Sequence, residues 1–449
     1  MCCNLIYTSG TTGNPKGVML SHDNLVWGSH QFAHHTSIIS KGPENRVVSY
    51  LPLSHIAGLQ FDVINPLLIK HCEIFFAKPD AMQGTLVESL KWGRPTAFFA
   101  VPRIWEKLEL AIREKMLLFS DDEKKLGEWA MAYGKQHVLA LEAKTQSPSL
   151  FGVANSIFLR KMKASVGLDQ CESFYFGAAA LKQQTSDFFT SLDIPLFNLY
   201  GLSETTGNHV LHNFSKFNLQ TSGFSMPGTQ TKIDNPDENG DGEILLRGRQ
   251  TMMGYLNNEK ATIATLTSDG FLRTGDRGRL NPEGFLQITG RIKELIITAG
   301  GENIAPVGVE DKFKLQCPPC SNIMLVGEGQ RFLGALITFK VDIDPKTGIP
   351  TRNLMLEARE FFKQELGLTI STSDQAIAEP KVQAYIEQCV KETNKRAISR
   401  AANIRKFHLL PDDFSIPGEE LTPTLKLRRN VTSAKYKTII DKMFAEAKL

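Results

Sequence analysis

Cysteine is scarce and scattered: seven in 449 residues, at positions 2, 3, 72, 171, 317, 320 and 389. That is too few and too dispersed for a disulfide framework, and it fits a reducing compartment. Cys317 and Cys320 form a lone CPPC, but the "SNIMLVG" that follows reads as a strand, where a redox dithiol needs a helix to open. Long apolar runs are missing too. None approaches the ~20 residues that span a bilayer, and the first residues lack the basic-then-apolar layout of a signal peptide. Nor is there an excess of charge of one sign. The balance of 51 basic and 48 acidic residues leaves +3, which gives no electrostatic footprint for nucleic acid and none for an anionic bilayer as main partner. The expectation is an intracellular, cytoplasmic chain whose contact with membranes, where it has any, is peripheral.

What is present is the texture of an ordinary globular protein, 42% hydrophobic and 22% charged, long enough for two or three domains. Short apolar runs recur ("NLIYTS", "VVSYLPL", "EIFFA", "TAFFAV", "SFYFGA", "PLFNLYG"), and residues 104–118 and 121–145 between them carry helical spacing. Strand alternating with helix predicts a largely parallel α/β sheet. From about residue 223 the pattern turns to Gly-rich hairpin signals, "DNPDENGDGEILLRG", "GFLRTGD" and "GFLQITGR", which predict a small antiparallel, barrel-like β region over about 223–292. After residue 293, the strands "ELIITA", "SNIMLVG" and "FLGALITF" and a long charged helical stretch predict a separate, smaller α+β domain, so that the domains run 1–292 and 293–449. There is no internal repeat, which sets repeat architectures aside.

The stretch "YTSGTTGNPKGV", residues 7–18, offers glycines that let backbone N–H groups approach an anion, the hydroxyls of Thr8, Ser9, Thr11 and Thr12, and the ammonium of Lys16. A Walker A loop needs Gly-Lys-Ser/Thr opening a helix; here Pro15-Lys16-Gly17 resists one, so the chain is not a P-loop NTPase. Glu204, in "YGLSETTG", is a carboxylate on a turn after an apolar strand: either an oxygen ligand for Mg²⁺ shared with phosphate, or a solvated capping carboxylate. Asp276 reads as an acceptor for two vicinal hydroxyls or as a plain turn Asp. "FGAAAL" leaves the chain nearly bare at Gly177 and Ala178, where an aromatic plane can lie against backbone with Tyr200 on its other face, or where small residues simply pack. Lys426 sits in a basic loop that composition alone treats as solvated. His55 lines a channel or is packed in the core. "DENGDG", from Asp237, copies half a calcium loop but ends on Gly248 where a bidentate Glu is required, and so reads as a hairpin turn. Ser203 lacks the final Gly of a nucleophile elbow, and His34 and His35 have Ile39 where an HHxxxD motif needs Asp.

Seven motifs occur in one order: "YTSGTTGNPKGV", "YLPLSHIAG", "FYFGAAAL", "LYGLSETTG", "TGD", "GRIKELIITAGGENIAP" and "LTPTLKLRR". The set resembles the adenylate-forming superfamily, and in its "GRIKELIITAGGENIAP" most closely the bubblegum group of long-chain acyl-CoA synthetases. The resemblance implies a large adenylate-forming domain of layered α/β sheets followed by a mobile C-terminal domain. It implies ATP and Mg²⁺, a long-chain fatty acid, and CoA as co-substrate. Carried over residue by residue, it makes Thr8, Ser9, Gly10, Thr11, Thr12, Gly13, Asn14, Pro15 and Lys16 the phosphate contacts, and Thr8 and Glu204 the magnesium contacts. Gly177, Ala178 and Tyr200 become the adenine cradle, Gly201, Leu202, Ser203 and Thr205 further nucleotide contacts, and Asp276 and Arg291 the ribose contacts. Lys293 becomes the hinge and Lys426 the lysine that bridges substrate carboxylate and α-phosphate, while Gly300 and Gly301 give pantetheine room. Catalysis then falls to Lys426, Glu204 and Lys16.

In that family a sizeable segment precedes the phosphate loop, whereas here six residues do. The expectation is an N-terminally short large domain with exposed apolar surface and poor solubility. Two rivals stand beside the ligase reading: adenylation of another acid for a carrier protein, and a non-catalytic chain that binds nucleotide or a partner.

Overall fold

Three apolar runs become the parallel half of a five-stranded sheet. Ala97–Ala100, Ser173–Gly177 and Leu196–Tyr200 lie parallel in that order, and the short Val210–Leu211 and Phe224–Ser225 extend the sheet antiparallel. The parallel strands are buried on both faces almost throughout, which is why they read as continuous rather than alternating apolar runs. In this computed structural model the described residues are 1–8, 15–36, 45–68, 72–344, 346–397, 399–422 and 425–445.

The helices begin where local chemistry tells them to. Pro102 opens Pro102–Leu117 at a position whose N–H has no helical partner anyway, and Ser120 with Glu123 forms a capping box ahead of Asp121–Glu142. Both pack on the sheet side of a core in which Trp105, Phe98 and Phe189 are fully buried, and the Trp105 indole donates to the Tyr175 carbonyl at 3.2 Å. Gly134 lets Asp121–Glu142 run close to the neighbouring helix Gln183–Ser191, since a Cβ there would sit 2.2 Å from the Ser191 carbonyl oxygen.

The strands on either side of the phosphate-loop sequence pair antiparallel. Cys2–Thr8 pairs with Lys16–Ser21 in a register that sets Thr8 opposite Lys16, and Gly254–Tyr255 adds a third strand on the far edge of Lys16–Ser21. Asn45–Ser49 and Cys72–Phe76 make a separate parallel pair. The β-rich region is a four-stranded sheet in the order Gln230–Asp234, Gly242–Arg247, Leu272–Leu280, Leu286–Arg291. It is open, not closed into a barrel: the hairpin signals were local, whereas closure requires the two edge strands to meet. The "DENGDG" stretch is the turn between the first two of these strands, with the Asp237 N–H donating to the Asp241 carbonyl and Arg277 held on the Asp237 carboxylate.

The chain parts into two compact units between Ile288 and Thr289. In the second, Cys320–Val326, Leu333–Phe339 and Ile404–Leu410 form a mixed sheet, and Phe313, Phe339, Phe362 and Ile386 are buried in its core. Of "ELIITA" only Ile296–Ile297 is strand, paired with Asn303–Ile304 around the glycine-bearing loop. The Cys317 and Cys320 sulfurs lie 2.9 Å apart, both buried, where the helix Pro306–Gln316 gives way to Cys320–Val326.

Among the described residues no helix is long and apolar enough to cross a membrane. Large apolar side chains are exposed at Leu5, Tyr7, Phe76, Trp92, Leu117 and Leu118.

One buried carboxyl stands apart. Asp62 lies on the π-helical turn Gly58–Ile64, accepts the N–H groups of Tyr50 and Leu51 at 3.2 and 3.4 Å, and lines a cavity of about 40 Å³ with Phe32, Phe61 and Phe98. Burial pushes it up to about 7 against the pull of those two bonds. Its folded value lies above the unfolded one, so its contribution to stability is full below about pH 4 and lost as pH rises through 7. Asp62→Asn should therefore gain on the native chain by roughly 2 kcal/mol as pH rises from 5 to 8, read from paired urea melts. Gly134→Ala should destabilise the first unit by about 1–3 kcal/mol despite alanine's better helix propensity, because the added methyl meets backbone. An unchanged first urea transition would refute that packing argument.

Candidate functional site

Glu204 owes its position to a tight turn that requires glycine at position 201. After the strand Leu196–Tyr200 the chain tightens into Ser203–Thr205, with the Leu202 N–H donating to Thr205 Oγ1 at 2.9 Å. Gly201 faces the Gly207 carbonyl so closely that a Cβ would sit 2.5 Å from its oxygen. The Met252 N–H donates to the Glu204 carbonyl at 2.8 Å, which ties the turn to the segment leading into Gly254–Tyr255. From that strand the Tyr255 hydroxyl donates to Glu204 Oε1 at 2.7 Å. The Lys16 ammonium lies 4.7 Å from the centre of the same ring, within reach of its negative face. Burial, with the Glu204 carboxylate beside it, raises the Tyr255 phenol above its ordinary value, so it remains a donor throughout the neutral range.

Lys16 and Glu204, both expected site residues, are thus joined through a third side chain that sequence reasoning missed. Tyr255 is 51 residues from Glu204, and "MGYLNN" carries no spacing signal that would single it out. Thr8 closes the hairpin opposite Lys16, and Pro15 is exposed at the start of the returning strand. Ser9, Gly10, Thr11, Thr12, Gly13 and Asn14 lie outside the described residues, as does Ile39.

A second contact joins two sheets. The Tyr200 hydroxyl donates to Asp276 Oδ2 at 2.8 Å, linking the end of Leu196–Tyr200 to Leu272–Leu280, and Asp276 is buried. The tyrosine expected to stack on adenine therefore also orients the expected ribose acceptor by its hydroxyl. Gly177 is required by its neighbour strand, since a Cβ would lie 2.6 Å from the Leu199 carbonyl oxygen. Ala178 follows with φ +70°, a left-handed conformation that costs a non-glycine residue of order 1 kcal/mol and kinks the chain out of the sheet.

Arg291, Lys293 and Lys426 belong to the second unit. Arg291 Nη1 lies 3.8 Å from Glu294 Oε1, and Lys293 is in the 3₁₀ turn Ile292–Glu294. Lys426 returns a loop, with its N–H donating to Thr422 Oγ1 at 3.0 Å and its carbonyl accepting the Thr422 N–H at 2.8 Å. Gly300 and Gly301 lie in the hairpin loop after Ile296–Ile297. His55 starts a helical turn, its Nδ1 accepting the Ala57 N–H at 3.2 Å, which is a capping role. His35, buried, faces the Leu211 carbonyl at 3.2 Å.

Among the described residues no group of three or more His, Cys, Asp or Glu can hold a metal by itself. Glu204 and Thr8 each carry hard oxygen atoms, the ligand chemistry that Mg²⁺ takes alongside phosphate oxygens and water.

The profile of the family described as AMP-binding enzyme matches residues 1–256, more than half the chain. The chain belongs to the AMP-binding enzyme family. The family resemblance carried by the ordered motifs is borne out. Over 450 residues the chain is 44% identical to the long-chain-fatty-acid–CoA ligase ACSBG2 of Gallus gallus, covering 99% of this chain and 59% of that one. Over 451 residues it is 41% identical to the long-chain-fatty-acid–CoA ligase ACSBG1 of Homo sapiens, covering 100% and 62%. The chain therefore spans about three fifths of the length of these curated relatives. Its fold matches the adenylation domain of a carboxylate reductase from Mycobacterium chelonae with a TM-score of 0.69 at 21% identity, covering 99% of this chain and 60% of that one. It also matches the AMP complex of O-succinylbenzoate coenzyme A synthetase from Bacillus subtilis with a TM-score of 0.62 at 20% identity, covering 96% and 68%. The mixed α/β fold is the one expected.

Tyr255→Phe removes the donor to Glu204 and leaves the ring under Lys16. The expected cost is about 1–2 kcal/mol in the first urea transition, the size of a hydrogen bond to a charged group at a half-buried site. Indistinguishable melts would mean that the phenol does not hold the turn.

Proposed function

We propose that the chain is an ATP-dependent fatty acyl-CoA ligase acting on long-chain acids. The observation that carries this reading is the joining of Lys16 and Glu204 through Tyr255, which sets a cation and a hard-oxygen anion at the base of a glycine- and hydroxyl-rich loop. The names of the relatives support the substrate class.

In the first step a carboxylate oxygen attacks the α-phosphorus and the bond to the bridging β-oxygen breaks, giving acyl-AMP and pyrophosphate. Anions converge, so cations and oriented donors must already be in position. Lys16 meets the β- and γ-phosphates together with the loop Ser9–Asn14 and Pro15. Asp276, held by Tyr200, accepts the ribose hydroxyls, and Arg291 contacts ribose and phosphate. Adenine lies between the backbone at Gly177 and Ala178 and the face of Tyr200, bordered by Gly201, Leu202, Ser203 and Thr205. Mg²⁺, held by Glu204 and Thr8, would supply charge neutralisation on the phosphates. Lys426 bridges the carboxylate and the α-phosphate. A rotation about Lys293 then withdraws Lys426 and brings the Gly300–Gly301 loop to the site, where the CoA thiol displaces AMP. Contact with membranes, on this reading, is peripheral.

ATP–pyrophosphate exchange by the purified chain tests the proposal, with oleate, a very-long-chain acid and an amino-acid mixture offered separately. Exchange with a fatty acid alone is expected, and Lys426→Ala should lower it about 10²–10³-fold while sparing thioester formation from supplied acyl-AMP. Exchange driven by amino acids would move the reading to carrier-linked adenylation. ATP binding by folded protein with no exchange would favour a binding role.

A further inference from the structure

A run of alternating charges, buried at all but its Arg291 end, crosses the second unit. Arg429, three positions beyond Lys426, holds Glu310 in a two-point clasp, with Nη1 2.7 Å from Oε1 and Nη2 2.5 Å from Oε2. Its Nε lies 3.7 Å from Glu294 Oε2, and Glu294 in turn lies 3.8 Å from Arg291. Glu310 Oε1 also accepts the Leu325 N–H at 2.7 Å. The Arg429 and Glu310 side chains are only 16% and 6% exposed, so screening by water is weak and loss of either partner strands the other's charge. Burial opposes the charge on Arg429, and Glu310 and Glu294 more than offset it, raising the guanidinium further above its ordinary value.

The four residues come from three places that the proposed reaction uses: Arg291 and Glu294 from the turn around Lys293, Glu310 from the helix that follows the Gly300–Gly301 loop, and Arg429 from the end of the Lys426 loop. We propose that Arg429 is a positioning residue: it ties the Lys426 loop to the Ile292–Glu294 turn and to the helix Pro306–Gln316, so that Lys426 and Arg291 are presented in fixed register. The bidentate geometry matters because a fork on a carboxylate fixes direction as well as distance, which an ammonium does not. The inference rests on the reading of Lys426 as the adenylation lysine.

The test compares the native chain with Lys426→Ala, Arg429→Met, Arg429→Lys and the double change Arg429→Met/Glu310→Leu, which replaces the buried pair by apolar side chains and should restore folding stability. Expected for Arg429→Met is a fall of about tenfold or more in kcat for ATP–pyrophosphate exchange, with KM for ATP little moved and thioester formation from supplied acyl-AMP kept. Arg429→Lys should recover only part of the exchange. The double variant should recover the melt but not the exchange. Hydrogen exchange on the peptide carrying Lys426 should quicken in Arg429→Met and in the double variant alike. Native exchange kinetics in Arg429→Met, beside a dead Lys426→Ala, would overturn the proposal, as would a double variant that regains activity together with stability. If Lys426→Ala keeps its exchange, the reading of Lys426 is what fails. The hydrogen-exchange measurement still decides whether Arg429 holds the loop, and unaltered protection there would overturn that too.

Discussion

The first unit's candidate site depends on one phenol. Tyr255 touches Lys16 with its face and Glu204 with its hydroxyl, and these are the two ends of an aromatic ring's electrostatics: a negative face for a cation, a polar donor for an anion. The strand that carries Tyr255 is only two residues long, yet it pairs with the strand that carries Lys16, and the segment just before it holds the Glu204 turn by a backbone bond. The hairpin, the turn and the short strand therefore fix one another, and the spacing between opposite charges is set by a rigid ring and not by two long flexible side chains.

The second unit solves the same problem by other means. Its cationic residues stand on loops and turns, and the clasp of Arg429 on Glu310 replaces what an aromatic spacer does in the first unit. A carboxylate that serves two arginines, as Glu294 does, couples their positions, because movement of one guanidinium changes the field felt by the other. An apolar contact can slide, whereas a forked ion pair has one geometry.

Features that arise within a few residues were legible in the sequence. The helical spacing over 104–118 and 121–145 announced the helices Pro102–Leu117 and Asp121–Glu142, and "DENGDG" announced a turn, and each is where local hydrogen bonding puts it. The ordered motifs likewise disclosed Glu204 and Asp276 as candidates. What they are bonded to was not legible. Tyr200 meets Asp276 across 76 residues and Tyr255 meets Glu204 across 51, and no period or composition encodes such pairings. The open β-rich sheet has the same origin, since hairpins are local while closure is not. Asp62 escaped notice because "GLQFDVI" gives no hint that its carboxyl turns inward to cap the Tyr50 and Leu51 amides.

The hairpin of Cys2–Thr8 and Lys16–Ser21 has a consequence for how the protein is made. Among the described residues its inner strand, Lys16–Ser21, gains its second neighbour from residues 254 and 255, so between the synthesis of residue 21 and that of residue 254 that edge has unsatisfied amides and carbonyls. Val18 and Leu20, fully buried at the end, are then open to whatever strand arrives first. A nascent chain in this state is a natural client for chaperones that shield apolar edges, and slowing synthesis anywhere before residue 254 prolongs that exposure.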